Sequence, residues 1–99
     1  MNKLQLKNRI VDSLKEENEI EKIIIFGSFN SSNTPNDIDI AVIQNSPDDY
    51  LTLALKYRKL IRGIAREIAV DIFPVLQKTD NSFFMSEISS GEVIYERGN

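Results

Sequence analysis

The chain contains neither cysteine nor histidine. Without thiols there can be no disulfide framework and no thiolate nucleophile. Without imidazole as well, a Ser-His-Asp triad and Cys/His zinc sites are excluded. Long apolar stretches are also missing. No run approaches the roughly 18 residues that a membrane-spanning helix needs. The first ten residues, MNKLQLKNRI, lack the apolar segment and small-residue cleavage site of a signal peptide. These absences lead to the expectation of a cytoplasmic protein with no membrane association. Basic charge is in short supply: 12 Lys and Arg stand against 15 Asp and Glu, a net charge of −3. That balance argues against a general nucleic-acid binder. The chemistry left is that of carboxylates, hydroxyls, amines and guanidinium groups, and carboxylates suit hard cations such as Mg²⁺.

The length of 99 residues fits one domain spanning 1–99, with one modest core. Leu4, Leu6, Ile10, Val11 and Leu14 recur near helical spacing and predict an amphipathic helix from Leu4 to Glu17. Glu21–Phe26 (EKIIIF) is a short β-branched and aromatic run that stops at Gly27-Ser28, which predicts a buried strand and a tight turn. Residues 30–36 (NSSNTPN) are loop. Asp37–Ile43 (DIDIAVI) alternates and then becomes apolar, as a strand with acids on one face would. Ser46 and Pro47 are the expected cap and first position of a long helix reaching about Arg66, with Leu53, Leu60, Ile61 and Ile64 as core positions and Gly63 near its end. Glu67–Leu76 is a third strand, with Pro74 marking an edge or exit. Asn81 or Ser82 is expected to cap a short helix through Ile88, followed by a break at residues 89–91 and an apolar tail, Val93-Ile94-Tyr95, that docks on the core. The first two strands are too close for a crossover helix and should be antiparallel. The expected class is α/β (α+β): a small mixed sheet with flanking helices.

Asp37 and Asp39, two residues apart on a strand, leave the same face about 7 Å apart. Two like charges on one face call for a counter-charge, and magnesium held together with substrate phosphates supplies one. Asp-x-Asp alone is also a common solvated strand entrance. Gly27-Ser28 makes the pattern more restrictive, because exposed backbone N–H groups and a hydroxyl at such a turn can receive phosphate oxygens. Asp71 lies between Val70 and Ile72 in an otherwise apolar strand. If buried, it needs either a basic partner or a shared metal site beside Asp37 and Asp39.

Gly27-Ser28, Asp37-Ile38-Asp39 and Asp71, in an order of elements that covers almost the whole chain, resemble the signature of the DNA polymerase β-like nucleotidyltransferase superfamily. The short chain is similar to its minimal branch, the MNT proteins. The resemblance implies that Gly27 and Ser28 hold the triphosphate of ATP or another NTP, and that Asp37 and Asp39 ligate Mg²⁺. It implies that Asp71 ligates metal and helps deprotonate the acceptor hydroxyl. It further implies transfer of AMP to a tyrosine of a helical HEPN partner, which silences a ribonuclease toxin. Two features depart from the pattern: only eight residues separate Ser28 from Asp37, and Phe29-Asn30 follows Gly-Ser where relatives often carry Arg.

The competing reading is a non-catalytic module that neutralises a partner by covering it. Lys56, Arg58, Lys59, Arg62 and Arg66 fall in the long predicted helix without an intervening acid. They form either a solvated face or a surface for an acidic partner or a nucleic-acid backbone. Nothing in the sequence demands a homo-oligomer, although one is compatible with it.

Overall fold

A computed structural model describes residues 2–77, 86 and 88–98. Helix α1 spans Lys3–Leu14. It starts at a reciprocal cap: the Asn2 side chain accepts from the Gln5 N–H, and the Gln5 side chain accepts from the Asn2 N–H. Its buried stripe is Leu6, Ile10 and Leu14, at the spacing of one helix face. Leu4, predicted among the apolar positions, is 67% exposed, because it falls on the outer face.

Strand β1 (Ile20–Phe26) leads through a short 3₁₀ turn at Gly27–Phe29 to the loop before β2 (Asp37–Gln44). The two strands pair antiparallel, with Phe26 opposite Asp39 and Ile24 opposite Ala41. The register slips between Ile20 and Lys22. Such an irregularity lets Ile20 and Ile23, three residues apart, both enter the same core.

Helix α2 is shorter than predicted, Tyr50–Leu60. Its cap is Asp49, whose carboxylate accepts from the Thr52 N–H, and Ser46 is not the cap. Ser46 is instead nearly buried, and its hydroxyl accepts from Asp48 to shape the lead-in turn. Ile61 (φ −103°, ψ 17°) interrupts the helix, and a single turn, α3, follows at Arg62–Ala65. The interruption keeps Ile61 and Ile64 in the core, whereas Leu60, predicted there, faces outward.

Strand β3 (Ala69–Leu76) runs parallel to β2, as a crossover through α2 and α3 requires. Pro74 lies on this edge strand, where only one side needs hydrogen bonds. The predicted caps Asn81 and Ser82 lie outside the described residues. The expected apolar tail is a strand in its own right: β4 (Glu92–Glu96) pairs antiparallel with β1 and completes a mixed sheet of order β3-β2-β1-β4. The mixed α and β class is therefore as expected.

Gly91 admits β4 to its place. A Cβ there would stand 2.6 Å from the Ile25 carbonyl oxygen and 2.8 Å from the Ile24 side chain. Both atoms belong to a strand that cannot retreat. Gly91→Ala is expected to cost about 1–3 kcal/mol, comparable to overpacking a core, read as a lower urea midpoint at unchanged slope.

Helices α1, α2 and α3 cover one face of the sheet. Leu6, Ile10, Leu14, Leu53, Tyr57, Ile61 and Ile64 meet Ile23, Ile25, Ile38, Ile40, Val42 and Ile72 there. On the other face Ile24, Phe26, Ala41, Ile43 and Val75 form a smaller cluster with Ile88. The two faces follow from strict alternation along β2: even-numbered residues 38–42 face the helices, and odd-numbered residues 37–43 face away.

The helix layer is fastened to the sheet by a polar node absent from the sequence reading. The fully buried Tyr57 donates its hydroxyl to Glu19 at 2.8 Å, and Lys56 bridges Glu17 and Glu19 at 2.7 and 2.9 Å. Burial by itself pushes Glu19 up, but the Lys56 ammonium, its own backbone N–H and Tyr57 outweigh that and hold it below its ordinary 4.5. Burial and the bond to Glu19 push the Tyr57 hydroxyl well up. Because the Glu19 value is lowered by folding, its stabilisation is complete above pH 4.5 and is lost as acid carries the pH down through the folded value. Tyr57→Phe removes one donor to a charged acceptor. It should cost about 1.5 kcal/mol in urea unfolding and move the acid-unfolding limb to higher pH.

Candidate active site

Asp37 opens β2, and Asp39 follows on the same face. In the parallel ladder Asp39 lies directly opposite Asp71 of β3, so their backbones are about 4.8 Å apart. Asp37, Asp39 and Asp71 therefore share the face opposite α1, α2 and α3, at the end of the sheet where β2 and β3 begin. Asp37 and Asp71 are exposed, and Asp39 is half-buried.

The exposure of Asp71 corrects one premise of the sequence reading. It is not a buried carboxylate inside an apolar strand. At the start of β3 Ala69 and Asp71 are exposed, Val70 between them packs part-buried against the helix-side core, and full burial begins at Ile72. Asp71 has no Arg or Lys partner among the described residues, so its environment is set by the other two acids.

The partial burial of Asp39, then the negative charges of Asp37 and Asp71 and a hydrogen bond with Asp71, push its carboxyl above the ordinary 3.8. Phe26 is its partner on β1, and the Phe26 and Phe73 rings meet 5.7 Å apart at a 54° tilt. The small Ala41 side chain lies on β2 between these two strands.

Gly27 closes the site from the β1 side. Its φ of +76° lies in the left-handed region, and a Cβ there would fall 2.5 Å from Asp39 Oδ2. The turn after β1 and the central acid are thus in direct contact. Ser28 is exposed at the head of the 3₁₀ turn, and its carbonyl accepts from the N–H groups of Ser31 and Ser32 at 3.2 and 3.0 Å. Asn30 donates its side-chain amide to the Ile25 carbonyl and anchors the turn to β1. Phe29, 1% exposed, points into the helix-side core.

The three aspartates are all oxygen donors on one face, a donor set suited to a hard divalent cation. Asp39 and Asp71 form the close pair, with Asp37 on the flank. Among the described residues no three acids stand, as placed, where they could together hold a metal ion. The arrangement is an open carboxylate shelf whose repulsion a cation would relieve.

Sequence reasoning missed Lys3. From the start of α1 it reaches the carbonyls of Ser32 and Asn30, at 2.6 and 3.4 Å, over the Phe29 ring. No periodicity or spacing could have linked residues 3 and 32. The basic stretch is only partly as read: Lys56 is bound to Glu17 and Glu19, and the regular spacing is broken at Ile61. Arg58, Lys59, Arg62 and Arg66 are exposed and make no ion pair among the described residues. Among the described residues no helix is long and apolar enough to cross a membrane.

Comparison with known proteins places this geometry. The chain superposes on a chain of the MntA–HepT toxin–antitoxin complex with a TM-score of 0.63, at 18% identity over 96% of this chain and 74% of the other. A similar match, TM-score 0.63 and 21% identity over 95% and 72%, is to a tri-AMPylated HEPN toxin of Shewanella oneidensis in complex with an MNT antitoxin. A third is to the toxin–antitoxin with AMP-PNP, TM-score 0.63 and 22% identity over 92% and 73%. At these identities the likeness is one of fold. No curated protein matches the chain in sequence. The sequence model of the family described as "Polymerase beta, Nucleotidyltransferase" matches residues 8–99, a span that holds the glycine–serine turn and all three aspartates, and the chain belongs to that family.

Proposed function

We propose that the chain transfers a nucleoside monophosphate, AMP from ATP, to a hydroxyl on a partner protein. The carrying observation is the contact of Gly27 with Asp39 and the pairing of Asp39 with Asp71, which put a phosphate-receiving turn and a carboxylate shelf within one side chain of each other. The acceptor oxygen attacks the α-phosphorus, the bond from that phosphorus to the bridging oxygen breaks, and pyrophosphate leaves. Asp71 is exposed and can accept the hydroxyl proton. Gly27 and Ser28 orient the departing phosphates with backbone N–H groups and a hydroxyl. Asp37, Asp39 and Asp71 would hold Mg²⁺, which when bound offsets negative charge on the reacting phosphate.

The partner class follows the fold neighbours, which include an MNT antitoxin bound to an AMPylated HEPN toxin. A helical HEPN-type toxin with a tyrosine acceptor is the corresponding proposal here. The test is incubation with α-labelled ATP, Mg²⁺ and the HEPN-type product of an adjacent reading frame. Label should appear on the partner's tyrosine and vanish with chelator.

A second reading is neutralisation by covering the partner. Tyr50, Leu51 and Leu55 project from α2 at more than half exposure, ahead of the exposed Arg58, Lys59 and Arg62, and give a surface independent of the acids. Stable binding that silences the partner without any label transfer would favour it.

A further inference from the structure

The turn from Gly27 to Thr34 contains no cationic side chain of its own. One is delivered from elsewhere. Lys3 Nζ donates to the Ser32 carbonyl at 2.6 Å and the Asn30 carbonyl at 3.4 Å, and lies 5.2 Å from the Phe29 ring centre. Among the described residues no carboxylate pairs with it. Its position is unfavourable for α1 itself: a cation in the first turn opposes the helix dipole, and that turn has no acid to offset it. What Lys3 does for the protein is therefore to be sought in the turn. The Ser32 N–H closes on the Ser28 carbonyl while the Ser32 carbonyl is held by Lys3, so the ammonium fixes the far side of the loop that Ser28 opens. Lys3 also lines an open groove of about 900 Å³ together with Phe29, Asn33 and Asn36, the last adjacent to Asp37.

We propose that Lys3 is a positioning residue for the nucleotide's phosphates, clamping the Asn30 and Ser32 carbonyls so that the Gly27-Ser28 turn keeps its phosphate-receiving shape. The proposal rests on the assignment of that turn to the triphosphate. It acts through the loop and leaves the chemistry to the aspartates.

The experiment is calorimetric binding of ATP with Mg²⁺ to the whole chain and to K3M, K3R and S28A, each with its melting temperature. Loss of a charge-assisted clamp should weaken ATP binding about tenfold in K3M. Melting should stay at the wild-type temperature or rise, since a helix-opposing charge has gone. K3R should recover most of the affinity, and S28A should weaken binding independently. ATP affinity unchanged in K3M while S28A weakens it would overturn the clamp alone. So would a K3M loss that tracks a lower melting temperature and is not recovered by K3R. ATP affinity unchanged in S28A as well would overturn the clamp together with the phosphate assignment on which it rests.

Discussion

Asp39→Asn should abolish nucleotidyl transfer and at the same time make the metal-free protein more stable. The catalytic loss is expected to be about 100-fold or more, as for removal of a group that organises transition-state charge. The gain in stability has a different origin. Folding raises the Asp39 carboxyl above its ordinary 3.8, through burial first and then Asp37 and Asp71. For a raised value, the favourable contribution belongs to the protonated form and is lost as the pH rises through the folded value. At neutral pH the ionised carboxylate is therefore a cost to the fold. Because the site is open to solvent, that cost is screened to about 0.5 kcal/mol. Asparagine removes the charge at nearly constant shape. Urea unfolding at pH 7 in chelator should place the Asp39→Asn midpoint at or above wild type. Adding Mg²⁺ with ATP should raise the wild-type midpoint and leave the variant unmoved. A variant that unfolds more easily than wild type in chelator would show that Asp39 is held by contacts other than those described.

Gly27→Ala should damage both the fold and the site, by two separable routes. A non-glycine residue at φ +76° pays backbone strain of about 1–2 kcal/mol. The new methyl would also stand 2.5 Å from Asp39 Oδ2. That atom is the end of a side chain and can move, so the collision costs little stability, but it displaces the central carboxylate from Asp71. ATP binding should weaken about tenfold or more, beyond what the stability loss accounts for. A double-mutant cycle separates the routes. Asp39→Ala removes the obstructing atom, so the stability cost of Gly27→Ala should be nearly the same in that background as in wild type. A markedly smaller cost there would mean that the collision adds to backbone strain.

Much of the fold was legible because alternation and helical spacing are local properties. The acid-bearing face of β2 could be read from Asp37, Ile38, Asp39 and Ile40, since a strand has only two faces. That β3 lies beside β2 was one of two alternatives open for Asp71, and the parallel register that sets Asp71 opposite Asp39 was not legible. What was not legible depends on cover supplied from far along the chain. Asp71 is flanked by apolar residues and yet exposed, because Val70 and Ile72 turn to the helix-covered face while Asp71 lies on the opposite one. Val93-Ile94-Tyr95 reads as a tail until Gly91 is seen to let it approach β1. Helix ends misled in another way. Ser46-Pro47 has the composition of a helix start, but Asp49 wins because its carboxylate reaches the Thr52 N–H. At the other end, Asn2-x-x-Gln5 was a readable capping signature that periodicity placed one residue too late. The Lys56–Glu19–Tyr57 node and the reach of Lys3 join residues 37, 38 and 29 positions apart. Such contacts carry no mark in sequence order.

The shelf of three carboxylates is proposed to bind a divalent cation only in company with the nucleotide. Titration of Mn²⁺ followed by its paramagnetic resonance signal, with and without ATP, tests this directly. Wild type should take up Mn²⁺ in the presence of ATP beyond what ATP alone binds, and a chain with Asp37, Asp39 and Asp71 all changed to Asn should not. Equal uptake by the two proteins would contradict the assignment of these aspartates as the metal site.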